Sequence, residues 1–554
     1  MNEHDLASDS FGEDQGKDKQ NIPAKINLEP HFDALSRPET FTNHIEQLKG
    51  TGEQVPHNTI LKQLLSQFEP IDFEGLAFPE IINLRQQLEE ETLKGQDENH
   101  TNINGSDREK GKIQGIKQQL NKFKLKMKHL LVISIDNVIK VAMDNSWGLC
   151  KSEAYIYIYN GAYWSELDKE VFQKFLGEAA EKMGVEKYSA KFYQFKEHLL
   201  KQFLSSAYLP IPEDNKDLVL INLMNGTFEI GPHVTELRQF AQKDFITYQL
   251  PFSYDSDAKA PKFETYLNRV LPDIQSQKVL AEYLGYLFIK NGSNTLKEEK
   301  ALILYGTGAN GKSVFFEIVN ALLGCQNVSN YSLQDLTDKE GYHRAKIANV
   351  IVNYASEING KLETSIFKQM VSGEPIQARL PYHQPMMLKQ YAKLIFNCNE
   401  LPKDTEHTNA YFRRFLILVF GVTIPPEEQD KSLHSKIIEA ELSGVFNWML
   451  AGLHRLLEQK GFSPCDAAHN ALEQYKTESN SVKLFLEETG YQKHATNSIF
   501  IKELYLEYRS FCTDEGITPF KKMNFTKQLK ALGINVEKNM HGNAAYIFKE
   551  IVSF

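Results

Sequence analysis

No run of about 18 uninterrupted apolar residues, the length that crosses a bilayer, occurs in this sequence of 554 residues. The N-terminal stretch MNEHDLASDSFGEDQGKDKQ is acidic and lacks the apolar core of a signal peptide. We therefore expect a cytoplasmic protein without a membrane partner.

Cysteine is scarce as well. The chain has five, with no CxxC pair among them: Cys150, Cys325, Cys398, Cys465 and Cys512. This pattern predicts neither a disulfide framework nor a zinc knuckle, so the cysteines are expected to be reduced packing residues.

Positive charge is in the minority, with 62 Lys and Arg against 72 Asp and Glu, a net charge of −10. This balance excludes a wholly basic coat for nucleic acid but leaves room for local basic patches. Acidic residues crowd the N-terminus, where residues 1–22 hold six of them against Lys17 and Lys19.

The length predicts three or four structural units, at about 150 residues each. Composition and periodicity set the boundaries. We predict a disordered acidic arm over 1–55, a helical region and linker over 56–128, a mixed α/β domain over 129–285, an α/β core over 286–428, a helical region over 429–480 and a further unit of helices and short strands over 481–554.

Several local patterns support this division. The polar segment 96–112 is typical of a linker, and the lysine-rich helical pattern that follows fits a solvated face or a stripe that faces DNA. Asn160-Gly161 and Asn225-Gly226 separate alternating apolar runs and predict β-hairpins. Between 300 and 420, short apolar strands alternate with helices, which predicts an α/β fold.

The strongest motif is GTGANGKS, which matches the phosphate-loop pattern G-x-x-x-x-G-K-[ST]. The apolar strand KALILY precedes it and the apolar helix VFFEIVNALL follows it. Lys312 would contact the β and γ phosphates of ATP, and Ser313 would bind Mg²⁺. The nucleotide-binding candidates are Gly306, Thr307, Gly308, Ala309, Asn310, Gly311, Lys312, Ser313 and Val314.

Further positions suit ATP hydrolysis. Glu357, after the apolar run NVIVNYA, could polarise water and help to hold Mg²⁺, or be a plain surface carboxylate. Asn399, after KLIFNC, could orient the attacking water or only end a strand. Arg413 and Arg414, before the strand FLILVF, could reach a neighbouring subunit's γ phosphate as an arginine finger, or form a surface patch.

Together these residues resemble the Walker A, Walker B, B′ and C motifs of superfamily 3 helicases, specifically of the phage/plasmid and poxvirus-type primase-helicase family. The resemblance covers about residues 130–550. It implies an AAA+-like P-loop ATPase preceded by an α+β N-terminal domain, and a homo-hexameric ring with ATP between subunits. Residues implied to act in cis are Lys312, Ser313, Glu357 and Asn399; those implied to act in trans are Arg413 or Arg414, with Lys368 as a further candidate.

In that family the B′ element has a lysine, a Gly-Asp pair, an arginine and then a hairpin. Here the matching positions are Lys368, Gly373-Glu374 and Arg379. The hairpin would project into the ring's channel and grip single-stranded DNA near its tip, because phosphates bind cations and bases stack on rings. The DNA-binding candidates are Arg379, Tyr382, His383 and Gln384, with Lys389 nearby; apart from the resemblance, Tyr382 and His383 are ordinary turn residues.

The sequence departs from the family's pattern twice. Many related Walker B motifs have two adjacent acids, whereas Ser356-Glu357 supplies one. Related proteins often carry an N-terminal primase-polymerase, but residues 1–130 show no paired-Asp metal site, so we do not expect priming activity.

The order of two helices and two strands near the C-terminus predicts a winged helix. Residues 521–549 are rich in lysine, and the phosphate-contacting candidates are Lys521, Lys522, Lys527 and Lys538, with His541 near the wing. The alternative is a winged helix that serves as a protein-packing module.

The sequence thus predicts an ATP- and Mg²⁺-dependent DNA helicase that acts on single-stranded and forked DNA and serves the replication of a phage or plasmid. A replication initiator or a primase would be a further partner. The alternatives are a primase-helicase with priming activity and an ATP-regulated origin-binding protein.

Overall fold

The computed structural model describes residues 56–97, 105–152, 155–207, 216–356, 358, 363–381, 384–401, 408–539 and 542–549. The predicted acidic arm lies outside these residues. So do four of the predicted site residues: Glu357, Tyr382, His383 and His541.

The described chain begins with five helices: α1 (His57–Gln67), α2 (Phe73–Ala77), α3 (Glu80–Asp97), α4 (Gly105–Leu120) and α5 (Met127–Asp144). Helices α3 and α4 extend into the two ends of the polar segment predicted as a linker, whose residues 98–104 lie outside the described ranges. The two helices pack together, and Glu91 of α3 pairs with Lys112 of α4 at 3.3 Å. Polar composition is therefore compatible with helix here, because charged residues meet across the helix pair.

Two small antiparallel sheets and three helices follow: β1 (Gly148–Ser152), β2 (Tyr155–Tyr159), β3 (Trp164–Leu167), α6 (Lys169–Met183), α7 (Lys187–Lys191), α8 (Tyr193–Ser206), β4 (Val219–Leu223), β5 (Gly226–Ile230) and β6 (Thr235–Arg238). Both predicted hairpins are present. Asn160 closes the first by accepting hydrogen bonds from the backbone N–H groups of Ala162 and Tyr163, each at 3.0 Å. In the second, Leu223 pairs directly with Gly226.

The next segment contains α9 (Pro261–Val270), α10 (Ile274–Tyr286), β7 (Ala301–Tyr305), α11 (Lys312–Leu323), β8 (Val328–Ser329), α12 (Leu333–Leu336), α13 (Tyr342–Ala345), β9 (Val352–Ala355), α14 (Thr364–Val371), β10 (Ile376–Ala378), β11 (Met386–Leu388), β12 (Lys393–Cys398), α15 (Asn409–Phe412) and β13 (Phe415–Val419). Five of these strands form a parallel sheet in the order β13-β7-β12-β9-β8. A parallel sheet requires crossovers, and the helices between the strands provide them.

The parallel sheet is buried on both faces, as its continuous apolar strands require. Along β7, Ala301 and Ile303 join the core that contains β1–β3 and α5–α8. Leu302 and Leu304 join a second core with β4, β5, α9, α10 and α11. The alternation of side chains along one strand therefore connects the sheet to both parts of the preceding region.

Two long helices complete the second core: α16 (Leu433–Gln459) and α17 (Asp466–Ser479). Helix α16 packs closely on α10, because a Cβ on Gly285 would lie 2.6 Å from the Cβ of Leu453. Helices α9 and α10 thus share a core with the parallel sheet, and the predicted boundary between 285 and 286 falls inside one packed unit.

The C-terminal unit contains α18 (Ser481–Glu488), β14 (Tyr491–Lys493), β15 (Ile499–Phe500), α19 (Ile501–Asp514), α20 (Lys522–Ala531), β16 (Val536–Asn539), β17 (Gly542–Ala545) and β18 (Ile547–Lys549). It has a core of its own, with Phe485, Leu504, Tyr508 and Phe525 buried. Strands β15, β17 and β16 form a small antiparallel sheet beside the helices. In the described ranges, no helix is long and apolar enough to cross a membrane.

Candidate functional site

The loop between β7 and α11, residues 306–311, is shaped by close backbone contacts. A Cβ on Gly306 would lie 2.1 Å from Nδ2 of Asn310 and 2.5 Å from the carbonyl oxygen of Phe420. Asn310 itself donates a hydrogen bond from Nδ2 to that carbonyl at 2.9 Å. A side chain at position 306 would therefore force the loop away from the end of β13.

The same loop turns through the left-handed region of backbone conformation. The φ angles are +111° at Gly308, +49° at Ala309 and +84° at Gly311. The left-handed region is costly for a residue with a Cβ, so Ala309 is strained. Successive turns of this kind direct N–H groups inward and form an anion-binding nest at the start of α11.

Lys312 is the cation of this nest. Its side chain is 6% exposed, and Nζ donates hydrogen bonds to the carbonyl oxygen of Gly306 at 2.6 Å and to Oδ1 of Asn310 at 3.0 Å. Burial lowers the pKa of Lys312 below its ordinary value. Both hydrogen-bond partners are uncharged, so the ammonium group is suited to an anion that enters the loop.

A cavity of about 760 Å³ opens beside the loop. Ser313 and Val314 line it at the first turn of α11, and Asn399 lines it from the end of β12. Strand β12 lies next to β7 with Cys398 paired to Tyr305, which brings Asn399 level with the start of the loop. The structure therefore brings together Lys312, Ser313 and Asn399, as the sequence predicted.

Strand β9 ends at the same edge of the sheet, since Ala355 pairs with Phe396 of β12. Ser356 follows β9 and is exposed. The predicted acid Glu357 lies outside the described residues, and its role stays a prediction.

The sequence did not reveal the far wall of the cavity, which comes from α9 and from the segment after β13. Tyr266 donates a hydrogen bond from its hydroxyl to the carbonyl oxygen of Gly311 at 2.8 Å. Arg269 contacts Glu428 across the cavity rim, and Asp430 also lines it. A hydrogen bond from Lys436 lowers the pKa of Asp430 to about 2. These residues belong to no motif and are remote in sequence from the loop.

The two predicted arginines lie at the opposite end of the sheet from the phosphate loop. Phe415 pairs with Ala301 at the start of β7, whereas the loop follows Tyr305 at its end. Five strand residues at about 3.3 Å each separate the two ends by roughly 16 Å. Neither Arg413 nor Arg414 is therefore placed to reach the loop of its own chain.

The two arginines also differ from each other. Arg413 is exposed, and its Nη2 pairs with Oε2 of Glu299 at 2.6 Å. Arg414 is 7% exposed, donates a hydrogen bond from Nη2 to Oγ of Ser372 at 2.8 Å and contacts the carbonyl oxygen of Ala410. Arg414 also lies 3.4 Å from Glu299, so both arginines approach this carboxylate, but Arg414 is buried and packed whereas the guanidinium of Arg413 is accessible at the surface.

The predicted B′ hairpin is present as β10 and β11, paired from Ile376–Leu388 at the base to Ala378–Met386 near the tip. At the tip end, the guanidinium of Arg379 lies 5.9 Å from the ring centre of Tyr342. Lys389 follows Leu388, so it lies at the base of the hairpin, which corrects the expectation of a position near the tip. Lys368 lies on α14 and is partly buried.

In the C-terminal unit, α20 has one buried and one basic side. Phe525 and Leu529 are buried, whereas Lys521, Lys522 and Lys527 are exposed. Lys538 is exposed on β16. The four lysines predicted to contact phosphates are therefore all accessible.

Comparisons with known proteins find partial similarities. Residues 141–272 match a family model described as D5 N terminal like, and residues 304–414 match one described as a family of unknown function, DUF5906. The "Putative helicase L207/L206" of Acanthamoeba polyphaga mimivirus is 26% identical over 245 residues, which are 41% of this chain and 24% of the relative. The match thus spans about a quarter of the length of this curated relative.

Among solved structures, two apo structures of the NrS-1 C-terminal region have TM-scores of 0.41 and 0.42, with 12% and 11% sequence identity. Each comparison covers 74% of this chain and 98% of the other. The chain is a mixed α/β protein that is similar, over part of its length, to a viral protein named as a helicase.

Proposed function

We propose that this protein is an ATP-dependent DNA helicase of the superfamily 3 type, an AAA+-like ATPase that serves replication of a virus, phage or plasmid. The observation that carries the proposal is Lys312, a buried cation with uncharged partners, inside a loop at the carboxyl ends of parallel strands. In open α/β sheets, ligands bind at that edge. The partial similarity to a viral protein named as a helicase adds support.

The residues of the site fit a nucleoside triphosphate and Mg²⁺. The positive φ angles at residues 308, 309 and 311 form a backbone nest for phosphate oxygens. The exposed hydroxyl of Ser313 at the first turn of α11 and the carboxylate of Glu357 would hold Mg²⁺. Mg²⁺ held there would supply charge neutralisation at the phosphates.

For hydrolysis, we assign a role to each of four residues of the chain. A phosphate that enters the nest replaces the carbonyl of Gly306 and the amide of Asn310 as partners of the Lys312 ammonium group. Glu357 polarises the attacking water, and Asn399 at the end of β12 orients it. Tyr266, bonded to Gly311, keeps the loop closed on the phosphates.

The position of Arg413 supports the proposal of a ring of subunits. Because Arg413 is roughly 16 Å from the loop of its own chain, it can act only on ATP bound by a neighbour. It would leave Glu299 and neutralise charge at the neighbour's γ phosphate. A homo-hexamer, with Lys368 as a second group in trans, gives every site such a neighbour.

DNA contacts are proposed for two places. The β10–β11 hairpin, with Arg379 and the sequence-predicted contacts Tyr382 and His383, would track one strand through the channel. The exposed lysines of α20 and β16 would bind phosphates of duplex or forked DNA in the manner of a winged helix.

Strand separation and ATP hydrolysis test the proposal together. We expect single-stranded DNA to stimulate hydrolysis and the wild-type protein to unwind a forked duplex, and Lys312→Ala to abolish both. ATP-independent duplex binding without unwinding would favour an origin-binding regulator instead. Primer synthesis from nucleotides alone would show the priming activity that the sequence does not predict.

A further inference from the structure

A second cavity, of about 530 Å³, lies at the opposite end of the parallel sheet from the phosphate loop. It is enclosed by β2 and β4, by the segment after α10, by the first residue of β12 and by the base of the β10–β11 hairpin. We name it the junction cavity. Its volume is in the range of roughly 300–1,000 Å³ that is usual for small-molecule sites.

The junction cavity is basic. Four lysines line it: Lys216, Lys290, Lys389 and Lys393. The lining residues, all within the described part of the chain, include no Asp or Glu. Asp217 and Glu374 adjoin the lining without forming part of it. Such a concentration of one sign of charge favours an anionic ligand.

Lys393 is held in place at the back of the cavity. Its Nζ donates a hydrogen bond to Oδ1 of Asn291 at 2.6 Å and lies 4.6 Å from the ring centre of Tyr286. Gln390 fixes Asn291 by accepting a hydrogen bond from its N–H at 3.0 Å and donating one to its carbonyl at 2.8 Å. Burial lowers the pKa of Lys393 to about 7. Its hydrogen-bond partner is uncharged, so an entering anion would stabilise the ammonium form.

Half-buried aromatic rings also line the cavity. Phe245 has a φ of +45°, a strained conformation for a bulky residue, and its ring packs edge-on against Tyr157 at 5.2 Å. The hydroxyl of Tyr248 is already bonded to the carbonyl of Leu220 at 2.8 Å, so this residue offers its ring rather than a donor. Rings of this kind stack on nucleobases.

We propose that the junction cavity binds one nucleotide unit, with its base against Phe245 and Tyr248 and its phosphate on Lys393 and the lysines at the cavity mouth. This site is separate from the phosphate loop and does not require ATP hydrolysis. The nucleotide could be free or part of a single strand. The position of Lys389 at the hairpin base provides continuity with the proposed DNA path.

Binding is tested in full-length Lys312→Ala protein, so that the phosphate loop lacks its ammonium group. The probes are fluorescent thymidine 5′-monophosphate and a fluorescent thymidine octamer, followed by anisotropy. Lys393→Met, and separately the double variant Lys216→Met/Lys389→Met with both changes at exposed positions, should weaken monophosphate binding by about tenfold or more. Lys174→Met, at an exposed position of α6, is the control and should bind as the parent does.

The outcomes separate the two sources of the ligand. Binding of the monophosphate alone supports a free nucleotide; much tighter binding of the octamer, with 5-iodouracil probes that crosslink to Phe245 or Tyr248, supports a single strand. Equal binding by the parent, Lys393→Met and the double variant would overturn the site. Inorganic phosphate that competes as well as the monophosphate would overturn the assignment to a nucleotide.

Discussion

Each end of the parallel sheet has a lysine that is hydrogen-bonded to an asparagine side chain, but the two pairs are formed in different ways. At the carboxyl end Lys312 bonds to the amide oxygen of Asn310, and at the amino end Lys393 bonds to that of Asn291. Burial lowers the pKa of both lysines. The Lys312–Asn310 pair lies at the end of one continuous loop, whereas the Lys393–Asn291 pair joins residues about 100 positions apart in the sequence. A lysine held by an asparagine side chain therefore needs no sequence motif, only packing that fixes the amide.

Replacement of each lysine by methionine should give the largest difference in ATP hydrolysis. Lys312→Met should reduce ATP hydrolysis to background, a loss of about 10³-fold or more, because it removes the charge that meets the phosphates. Lys393→Met should leave basal hydrolysis within about twofold, since Lys393 is remote from the loop of its own chain and, unlike Arg413, has no proposed contact with a neighbour's ATP. Steady-state phosphate release measures both. Equal losses would mean that the two ends are not independent.

The arginines test whether the amino end serves a neighbouring subunit. Arg413→Ala should lower hydrolysis by about 10³-fold, because the γ phosphate loses a cation supplied in trans. Mixing Arg413→Ala with Lys312→Ala subunits should restore part of the activity at interfaces where each supplies what the other lacks.

Arg414→Ala is the matched control for that experiment. It removes a buried residue bonded to Ser372, so it should lower the melting temperature, whereas Arg413→Ala should shift stability by no more than about 0.5 kcal/mol. If Arg413→Ala retained full hydrolysis, the finger would lie elsewhere.

The parts of the site that are local in sequence could be predicted, and the others could not. The loop at residues 306–311 could be predicted, because the glycine spacing, the preceding strand and the following helix are all local in sequence. The helical structure of residues 105–112, inside the predicted linker, could not be predicted, because Lys112 contacts Glu91 only when α3 and α4 pack. The roles of Tyr266 and Asn291 could not be predicted from the sequence, because they depend on contacts with distant segments of the chain.

The pH dependence of folding stability should reveal Lys393, at the amino end of the sheet, by an effect smaller than those on hydrolysis. The pKa of Lys393 is about 7 in the folded protein and near 10.5 in the unfolded chain, so between these values the unfolded state holds more protons. The wild-type protein should therefore gain stability as pH rises from 7 to 9. Lys393→Met removes this dependence and should stabilise the protein at pH 7 by about 1–2 kcal/mol, after allowance for solvent screening.

Thermal melting at several pH values, without nucleotide, measures this effect. Lys174→Met is the control and should follow the wild-type curve. A lower melting temperature for Lys393→Met at pH 7 would contradict the expectation. Loss of nucleotide binding together with higher stability would show that Lys393 is kept for a ligand rather than for the fold.

Relief of backbone strain at Ala309 gives the smallest single effect that we expect. Ala309 and Phe245, one at each cavity, both have positive φ angles. Ala309→Gly relieves the strain without removing a packed side chain, and the gain is partly offset by the greater freedom of glycine in the unfolded chain. It should stabilise the protein by about 0.5 kcal/mol. Phe245→Gly relieves similar strain but removes a ring packed on Tyr157, so it should destabilise instead. Opposite shifts in melting temperature would show that loop closure holds the strain at the carboxyl end and side-chain packing holds it at the amino end, whereas shifts of the same sign would remove that distinction.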